Sequence, residues 1–331
     1  MTWLDPSPFL RGVAWLEGQR PVRADPADRG RLPRDTCDRA ALPIGVRLEF
    51  LAEGARAVQI HYRASAVPGA LPDCFALWVQ DGPVSETFAE PTAEGVVTIE
   101  LPPAPGRRFI IHPPESRAPL VLGLRAIGGS LTPAPRQPRW LVHGDSITEG
   151  WWSTRPAHSW PATAGRLLGL DTVNLGYAGT AHGELATAEQ LAALPADALT
   201  LAFGTNCWSQ VPCSPPLLYE TVRAFLAVVR QGHPGTPLLV VSPVLRPAAE
   251  HTANRLGATL AQLRAALEQA VTDRAAGDEA LALLPGRDVL GPGQLADGLH
   301  PDDEGHAALA HAVAGALRLI RPRAAPHAAV S

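Results

Sequence analysis

A serine on a sharp turn directly after an apolar run is the first residue of this chain whose position suggests chemistry. Residues 144–150 read Gly-Asp-Ser-Ile-Thr-Glu-Gly and follow the apolar run 140–143. A short strand that breaks at this turn presents the Ser146 hydroxyl at its carboxyl end, and ligands bind at that edge of open parallel α/β sheets. Ser146 is therefore a candidate nucleophile.

An acid and a base stand close together near the other end of the chain. Residues 297–300 read Asp-Gly-Leu-His. An acid three residues before a histidine can reach back to the imidazole and hold its tautomer, which leaves the other ring nitrogen free to face a serine. Together with Ser146, the pair Asp297 and His300 indicates a serine hydrolase with the order Ser, Asp, His along the chain.

Two further turns supply groups that could stabilise negative charge. The first is Asn-Leu-Gly-Tyr-Ala-Gly at 174–179, after the second predicted strand of the second half, and the second is Phe-Gly-Thr-Asn at 203–206, after the third. Glycine allows the backbone N–H to turn toward a ligand. An asparagine amide can donate to a developing oxyanion, and one such donor is worth about 3 kcal/mol of barrier.

These four blocks, in this order, resemble the GDSL or SGNH hydrolase family, whose signature blocks contain Ser, Gly, Asn and His. The resemblance covers roughly residues 139–318. It implies a flavodoxin-like three-layer α/β/α fold. It also implies that Ser146 is the nucleophile, His300 the general base and Asp297 the acid that orients the base.

The same resemblance assigns the oxyanion hole to Gly179, Asn206 and the backbone N–H of Ser146. Gly179 is preferred to Gly176 because the family's glycine lies five residues after the asparagine that ends the strand. The asparagine block of the family is often Gly-x-Asn-Asp, whereas Cys207 stands here in place of the acid. The resemblance implies neither a metal ion nor an organic cofactor.

Aromatic residues near the blocks are candidates for the walls of a substrate site. Two tryptophans directly follow the serine block and are expected to narrow the acyl or leaving-group site. The predicted substrate-binding residues are Trp151, Trp152, Tyr177, Trp208 and Leu299.

The chain divides into two halves with different patterns. Between about residues 40 and 131, short β-rich runs alternate with turns without helical runs between them, which favours an antiparallel sandwich or jelly roll. A proline-rich segment at 132–138 is typical of a stiff linker. From residue 139, apolar runs alternate with helical stretches, which predicts a parallel sheet with crossover helices. The predicted domains are thus a β-sandwich at 1–131, the linker, and a catalytic α/β domain at 139–331.

Composition limits the remaining classes of function. The chain of 331 residues, with 46% hydrophobic and 18% charged residues, is long enough for two globular domains. A net charge of −4 gives no electrostatic reason to expect nucleic-acid binding. No apolar stretch approaches the ~18 residues of a membrane span. The N-terminus has no signal-peptide core, which predicts a cytoplasmic location with free thiols at the four cysteines.

The predicted reaction is a two-step acyl transfer through an acyl-enzyme on Ser146. The β-rich first half resembles the N-terminal sandwich of two-domain carbohydrate acetyl esterases, which implies a short acyl group, acetyl, on a sugar or other polyhydroxylated small molecule. An acyltransferase in intracellular metabolite biosynthesis and a lipase- or thioesterase-like acylhydrolase are alternatives within the same chemistry. The oligomeric state is left open.

Two interpretations of the sequence other than serine catalysis are also open. A metal site could be built from acidic and imidazole side chains that lie close in sequence, namely His300, Asp302, Asp303, Glu304 and His306. His306 is expected instead to be a helix residue. A binding or scaffold protein with a vestigial site is the other reading, and the presence of every catalytic residue type argues against it.

Overall fold

The computed structural model describes residues 2–65, 74–80, 82–88, 93–209 and 211–320. The strands are β1 (Leu10–Arg11), β2 (Trp15–Glu17), β3 (Arg20–Val22), β4 (Arg47–Arg63), β5 (Phe75–Val79), β6 (Gly82–Thr87), β7 (Glu94–Glu100), β8 (Phe109–His112), β9 (Leu120–Pro133), β10 (Arg139–Gly144), β11 (Asp171–Gly176), β12 (Ala198–Ala202), β13 (Leu238–Val241) and β14 (Leu281–Leu284). The α-helices are α1 (Arg34–Ala40), α2 (Ser146–Glu149), α3 (Trp160–Leu168), α4 (Leu185–Ala193), α5 (Pro215–Gly232), α6 (Pro247–Glu250), α7 (Leu260–Ala275) and α8 (Asp303–Ile320).

The first half is an antiparallel sheet that folds over its own core. Strand β4 is long enough to pair with β8 along one part and with β7 along another, while β9 runs along its other edge. Apolar side chains of β4, β5, β7, β8 and β9 share one core. The rings of Tyr62 on β4 and Phe75 on β5 lie 5.3 Å apart across that core. The predicted β-sandwich is therefore confirmed.

The second half is a five-stranded parallel sheet with the order β11-β10-β12-β13-β14. Its strands are buried on both faces, as apolar runs in parallel sheets require. Helices α4, α5 and α7 cover one face, and α3 and α8 cover the other. This is the flavodoxin-like order, and the predicted three-layer α/β/α fold is confirmed. No helix in the described part of the chain is long and apolar enough to cross a membrane.

Local sequence signals explain where the large helices begin. The Ser214 hydroxyl caps α5 by accepting a hydrogen bond from the Leu217 N–H, and proline occupies the first helical position. Helix α8 carries Asp303 and Glu304 in its first turn, where the helix dipole favours negative charge. Residues at the start of both helices thus stabilise their N-termini.

The segment between β1 and β4 packs on the α/β half of the molecule. Ala24, Leu32 and Ala40 belong to the same core as the inner faces of α4 and α5. Arg47 at the start of β4 pairs with Asp171 of β11 at 3.0 Å. The predicted boundaries at 131 and 139 stay a prediction, and residues 321–331 of the predicted catalytic domain lie outside the described residues.

Candidate active site

Ser146 lies at the carboxyl edge of the parallel sheet. Gly144, the last residue of β10, pairs with Gly176 of β11 on one side and with Ala202 of β12 on the other. The chain then turns directly into α2, whose first residue is Ser146. The Asp145 carboxylate caps this helix by accepting a hydrogen bond from the Ile147 N–H at 3.0 Å. The serine is thereby held at a fixed place, with only 5% of its surface exposed.

His300 bridges the serine and the acid. Its Nε2 lies 2.9 Å from Ser146 Oγ, and its Nδ1 lies 2.7 Å from Asp297 Oδ2. The other carboxylate oxygen accepts hydrogen bonds from the backbone N–H groups of Leu299 and His300, at 3.0 and 2.8 Å. The structure thus brings together the three residues that the sequence proposes as a triad.

The charge of Asp297 is set by two opposing effects. Burial acts to raise its pKa, but hydrogen bonds from the His300 backbone and ring outweigh burial and lower the pKa. Asp297 is therefore ionised at neutral pH. A carboxylate at Nδ1 favours the tautomer with a proton on Nδ1, which leaves Nε2 as the acceptor that faces Ser146.

The loops after β11 and β12 meet beside the serine. Gly179 has φ of +77°, a left-handed conformation that glycine adopts at little cost. Asn206 is 6% exposed, and its Nδ2 donates to the Thr180 carbonyl at 2.7 Å. That bond joins the two loops and uses one of the two amide protons, so the second proton is available to a ligand.

A buried carboxylate that no motif of the sequence singles out ties the loop after β11 to α2. Glu149 is fully buried and accepts a hydrogen bond from the Ala178 N–H at 2.6 Å. It also pairs with Arg39 of α1, whose Nε lies 3.2 Å from Oε2, and Arg23 lies 3.8 Å away. Glu149 stands within the serine block, but no pattern in the sequence connects it to arginines more than a hundred residues earlier.

Trp151 packs against the catalytic imidazole. Its ring and that of His300 are 5.5 Å apart between centroids, with an interplanar angle of 28°. The Arg39 guanidinium lies 5.7 Å from the Trp151 ring centroid. Trp152, by contrast, is 42% exposed and has φ of +67°. The predicted contact residue Trp151 therefore also supports His300.

The other predicted substrate-binding residues differ in how far their side chains are exposed. Leu299 is partly exposed beside His300, and Trp208 is partly exposed in the loop after β12. Tyr177 is 3% exposed, and its hydroxyl donates to the Arg23 carbonyl. The prediction that Tyr177 lines the substrate site is therefore corrected. Its ring lies in the core instead, 5.8 Å from the ring of His143 between centroids.

The residues considered for a metal site have other partners. His306 lies in α8, where its Nε2 donates to the Trp151 carbonyl at 2.9 Å and its Nδ1 accepts from the Trp160 N–H at 3.3 Å. Asp303 accepts a hydrogen bond from the Thr154 N–H at 2.8 Å. Within the described ranges, no group of three His, Cys, Asp or Glu side chains is placed to hold a metal ion.

The GDSL-like lipase/acylhydrolase family matches residues 142–308, half of the chain, and this match includes Ser146, Gly179, Asn206, Asp297 and His300. The chain belongs to this family. The enzyme is therefore a serine hydrolase that acts on carboxylic ester bonds. None of the curated proteins matches the sequence.

Solved structures resemble the enzyme over both halves. A salicylyl-acyltransferase from a tetracycline biosynthetic pathway is 23% identical, with a TM-score of 0.83 over 94% of this chain and 95% of that one. A GDSL-like lipase from Bacteroides ovatus is 22% identical, with a TM-score of 0.77 over 96% and 97%. A family two carbohydrate esterase from Clostridium thermocellum is 15% identical, with a TM-score of 0.63 over 83% and 91%. At these identities the likeness shows the fold.

Proposed function

We propose that the enzyme hydrolyses a short-chain ester, acetyl, on a sugar or other polyhydroxylated small molecule. The observation that carries this proposal is the continuous chain of contacts from Asp297 through His300 to Ser146, at 2.7 and 2.9 Å. A serine, a base and an orienting acid at these distances form the arrangement that acyl transfer requires. A cytoplasmic location stays a prediction from the sequence.

The first half of the reaction forms an acyl-enzyme. Ser146 Oγ attacks the ester carbonyl carbon while His300 Nε2 takes the hydroxyl proton. The carbonyl oxygen becomes an oxyanion, which is placed to accept hydrogen bonds from the N–H groups of Ser146 and Gly179 and from the Asn206 amide. When the intermediate collapses, the C–O bond to the alcohol breaks, and His300 returns the proton to the leaving oxygen.

The second half releases the acyl group. His300 takes a proton from a water molecule, whose oxygen attacks the acyl carbon. The bond to Ser146 Oγ then breaks and His300 returns the proton to the serine. Asp297 remains ionised throughout and stabilises the imidazolium form of His300.

The burial of the reacting groups supports a substrate with a short acyl chain. Ser146, Asn206 and His300 are each more than nine-tenths buried, and Trp151 packs directly against the base. A small acyl group suits a site with this little exposed surface. The sugar is supported by the β-sandwich, since the similar esterase from Clostridium thermocellum was solved with cellohexaose and has the same overall architecture.

Acyl transfer to an acceptor other than water is the second candidate function. It is favoured by the higher TM-score of 0.83 to a salicylyl-acyltransferase, which matches nearly the whole of both chains. The same acyl-enzyme serves both reactions. Only the acceptor in the second half differs, because an alcohol or amine replaces water.

A panel of esters tests both candidates. Para-nitrophenyl esters of increasing chain length and acetylated sugars are compared in wild type, Ser146→Ala, Asn206→Ala and a control, Ser130→Ala on the exposed face of the sandwich. We expect acetyl esters to be the best substrates, Ser146→Ala to be inactive, and Asn206→Ala to lose about 100- to 1000-fold in kcat. Preference for long chains would overturn the acetyl assignment, and ester products with added alcohols would establish transfer.

A further inference from the structure

Arg246 lies against the loop that carries Asn206, at a position that no motif in the sequence marks. It follows β13, the strand next to the one that leads to Asn206. Its guanidinium carbon lies 4.7 Å from the ring centroid of Trp208, and its Nη1 makes only a long contact, 3.5 Å, to the Thr205 carbonyl. Trp208 is itself held by an indole N–H bond to the Thr252 carbonyl at 2.8 Å. The guanidinium thus rests on the loop that carries Asn206.

The charges around Arg246 place it in the electrostatic field of the reacting groups. Burial lowers its pKa, while Asp145 and Asp297 act to raise it. Asp145 directly precedes Ser146 in the chain, and Asp297 is hydrogen-bonded to His300. Burial also raises the pKa of Asp145 to about 6. Arg246 is therefore a cation that interacts electrostatically with both carboxylates.

Arg246, which is partly buried, differs in its partners from four arginines that are more than nine-tenths buried. Each of these four has a carboxylate within 4.0 Å: Arg23 with Glu149, Arg47 with Glu49, Arg230 with Asp278, and Arg264 with Glu250. Arg11, which is also buried, donates instead to three backbone carbonyls. In the part of the chain that the structure describes, no carboxylate lies within that distance of the Arg246 guanidinium. Glu250, which is close in sequence, is bound by Arg264 and by the Arg246 backbone N–H. The Arg246 guanidinium therefore has N–H groups that no carboxylate of the described residues accepts.

We propose that Arg246 binds a carboxylate of the substrate, carried on either the acyl or the alcohol part of the ester. A guanidinium presents parallel N–H groups that match the two oxygens of a carboxylate. Stacking on Trp208 holds the guanidinium in place without consuming those donors. The inference rests on the proposed ester hydrolysis. It narrows the substrate class to esters that also carry a free carboxylate close to the ester bond.

Matched pairs of esters test the proposal and locate the carboxylate. The alcohol arm compares para-acetoxybenzoate with its methyl ester. The acyl arm compares the para-nitrophenyl ester of succinate, which keeps a free carboxylate, with the same compound after methylation of that carboxylate. The variants are Arg246→Gln and Arg246→Lys, and the control is Arg223→Gln, at an exposed position on α5.

We expect wild type to prefer the charged member of at least one pair. For that member, Arg246→Gln should lose about 10- to 100-fold in kcat/KM, the range typical of charge-assisted hydrogen bonds. Arg246→Lys should lose less, because it retains the charge without the fork. The neutral member should change less than about 3-fold in either variant, and Arg223→Gln should match wild type. No preference in wild type, or equal losses on both members, would overturn the proposal.

A binding measurement separates this proposal from the esterase activity itself. Calorimetric titration of the Ser146→Ala protein with para-acetoxybenzoate requires no turnover. Binding that is lost when Arg246→Gln is added would support the carboxylate site even if the enzyme hydrolysed neither ester. Binding that is unchanged by Arg246→Gln would exclude it, whatever the activity of wild type.

Discussion

Arg39 of α1 and Glu149 of α2 form an ion pair inside the protein, with Arg39 Nε 3.2 Å from Glu149 Oε2. The same carboxylate accepts a hydrogen bond from the Ala178 N–H, one residue before Gly179. An arginine from the segment that precedes the sandwich therefore acts, through Glu149, on the loop predicted to form the oxyanion hole. The N-terminal segment is part of the support of the active site.

Replacement of Glu149 should damage both stability and turnover. In Glu149→Gln, Arg39 and Arg23 lose their carboxylate, and breaking a buried pair of this kind costs about 3–5 kcal/mol. We expect urea denaturation to show that loss and kcat to fall about 10-fold or more, with a smaller change in KM. Glu189→Gln, which removes an exposed pair with Arg31, is the control. Normal kcat in a destabilised Glu149→Gln protein would contradict the positioning role.

Trp151 and Trp152 should respond differently to truncation. Trp151→Ala removes the ring that packs against His300, so we expect kcat to fall at least 10-fold, and Trp151→Phe to recover most of it. Trp152→Ala removes a ring that is 42% exposed and should leave kcat within about 3-fold. Steady-state kinetics on para-nitrophenyl acetate measures both. Equal effects of the two alanine variants would show that Trp151 does not support the base.

Gly179 and Gly257 share a backbone conformation, but only Gly179 is a predicted oxyanion-hole residue. Their φ values are +77° and +82°, and a Cβ at Gly257 would meet no atom within 4 Å. Alanine at either position should cost roughly 1–2 kcal/mol of stability through backbone strain. We expect only Gly179→Ala to lower kcat strongly, because a change in its φ turns its N–H away from the oxyanion. A similar kcat in the two variants would remove Gly179 from the oxyanion hole.

The buried His306 should make the folded protein less stable in mild acid. Burial lowers its pKa to about 4, from an ordinary value near 6.5. Between these values the unfolded chain binds a proton at His306 and the folded chain does not, so stability falls as the pH falls. The full effect is roughly 3 kcal/mol and is absent above pH ~6.5.

The pH dependence of urea denaturation checks this prediction. His306→Gln should lower stability at neutral pH and flatten its dependence between pH ~6.5 and ~4. His251→Gln, at an exposed position, should keep the slope of wild type. An unchanged slope in His306→Gln would assign the acid sensitivity to other groups.

The sequence predicts the parts of the fold and site that depend on local pattern. The apolar runs at 140–143 and 198–203 overlap β10 and β12, and Ser146 follows the first of them as the turn chemistry requires. Because the carboxyl ends of parallel strands meet at one edge, residues of separate blocks converge without any long-range information. The order of turns along the chain therefore indicates that Ser146, Asn206 and His300 belong to one site.

The parts that the sequence does not predict depend on contacts between distant segments. Arg39 lies 110 residues before Glu149 and carries no motif that marks it. Arg246 is marked by its stacking on Trp208 and by the absence of a carboxylate partner among the described residues, and both are properties of packing. The position of the Tyr177 ring also depends on packing. An aromatic residue that follows a strand gives the same sequence pattern whether its ring packs in the core or lines a substrate site.

The separation of Arg39 and Glu149 also sets an order of events on the ribosome. At synthesis rates of about 5–20 residues per second, Arg39 emerges roughly 5 to 20 seconds before the carboxylate that neutralises it. The strands of the sandwich are made in that interval, from β4 to β9. The segment that carries Arg39 therefore acquires its buried ion-pair partner only after every strand of the sandwich has been synthesised.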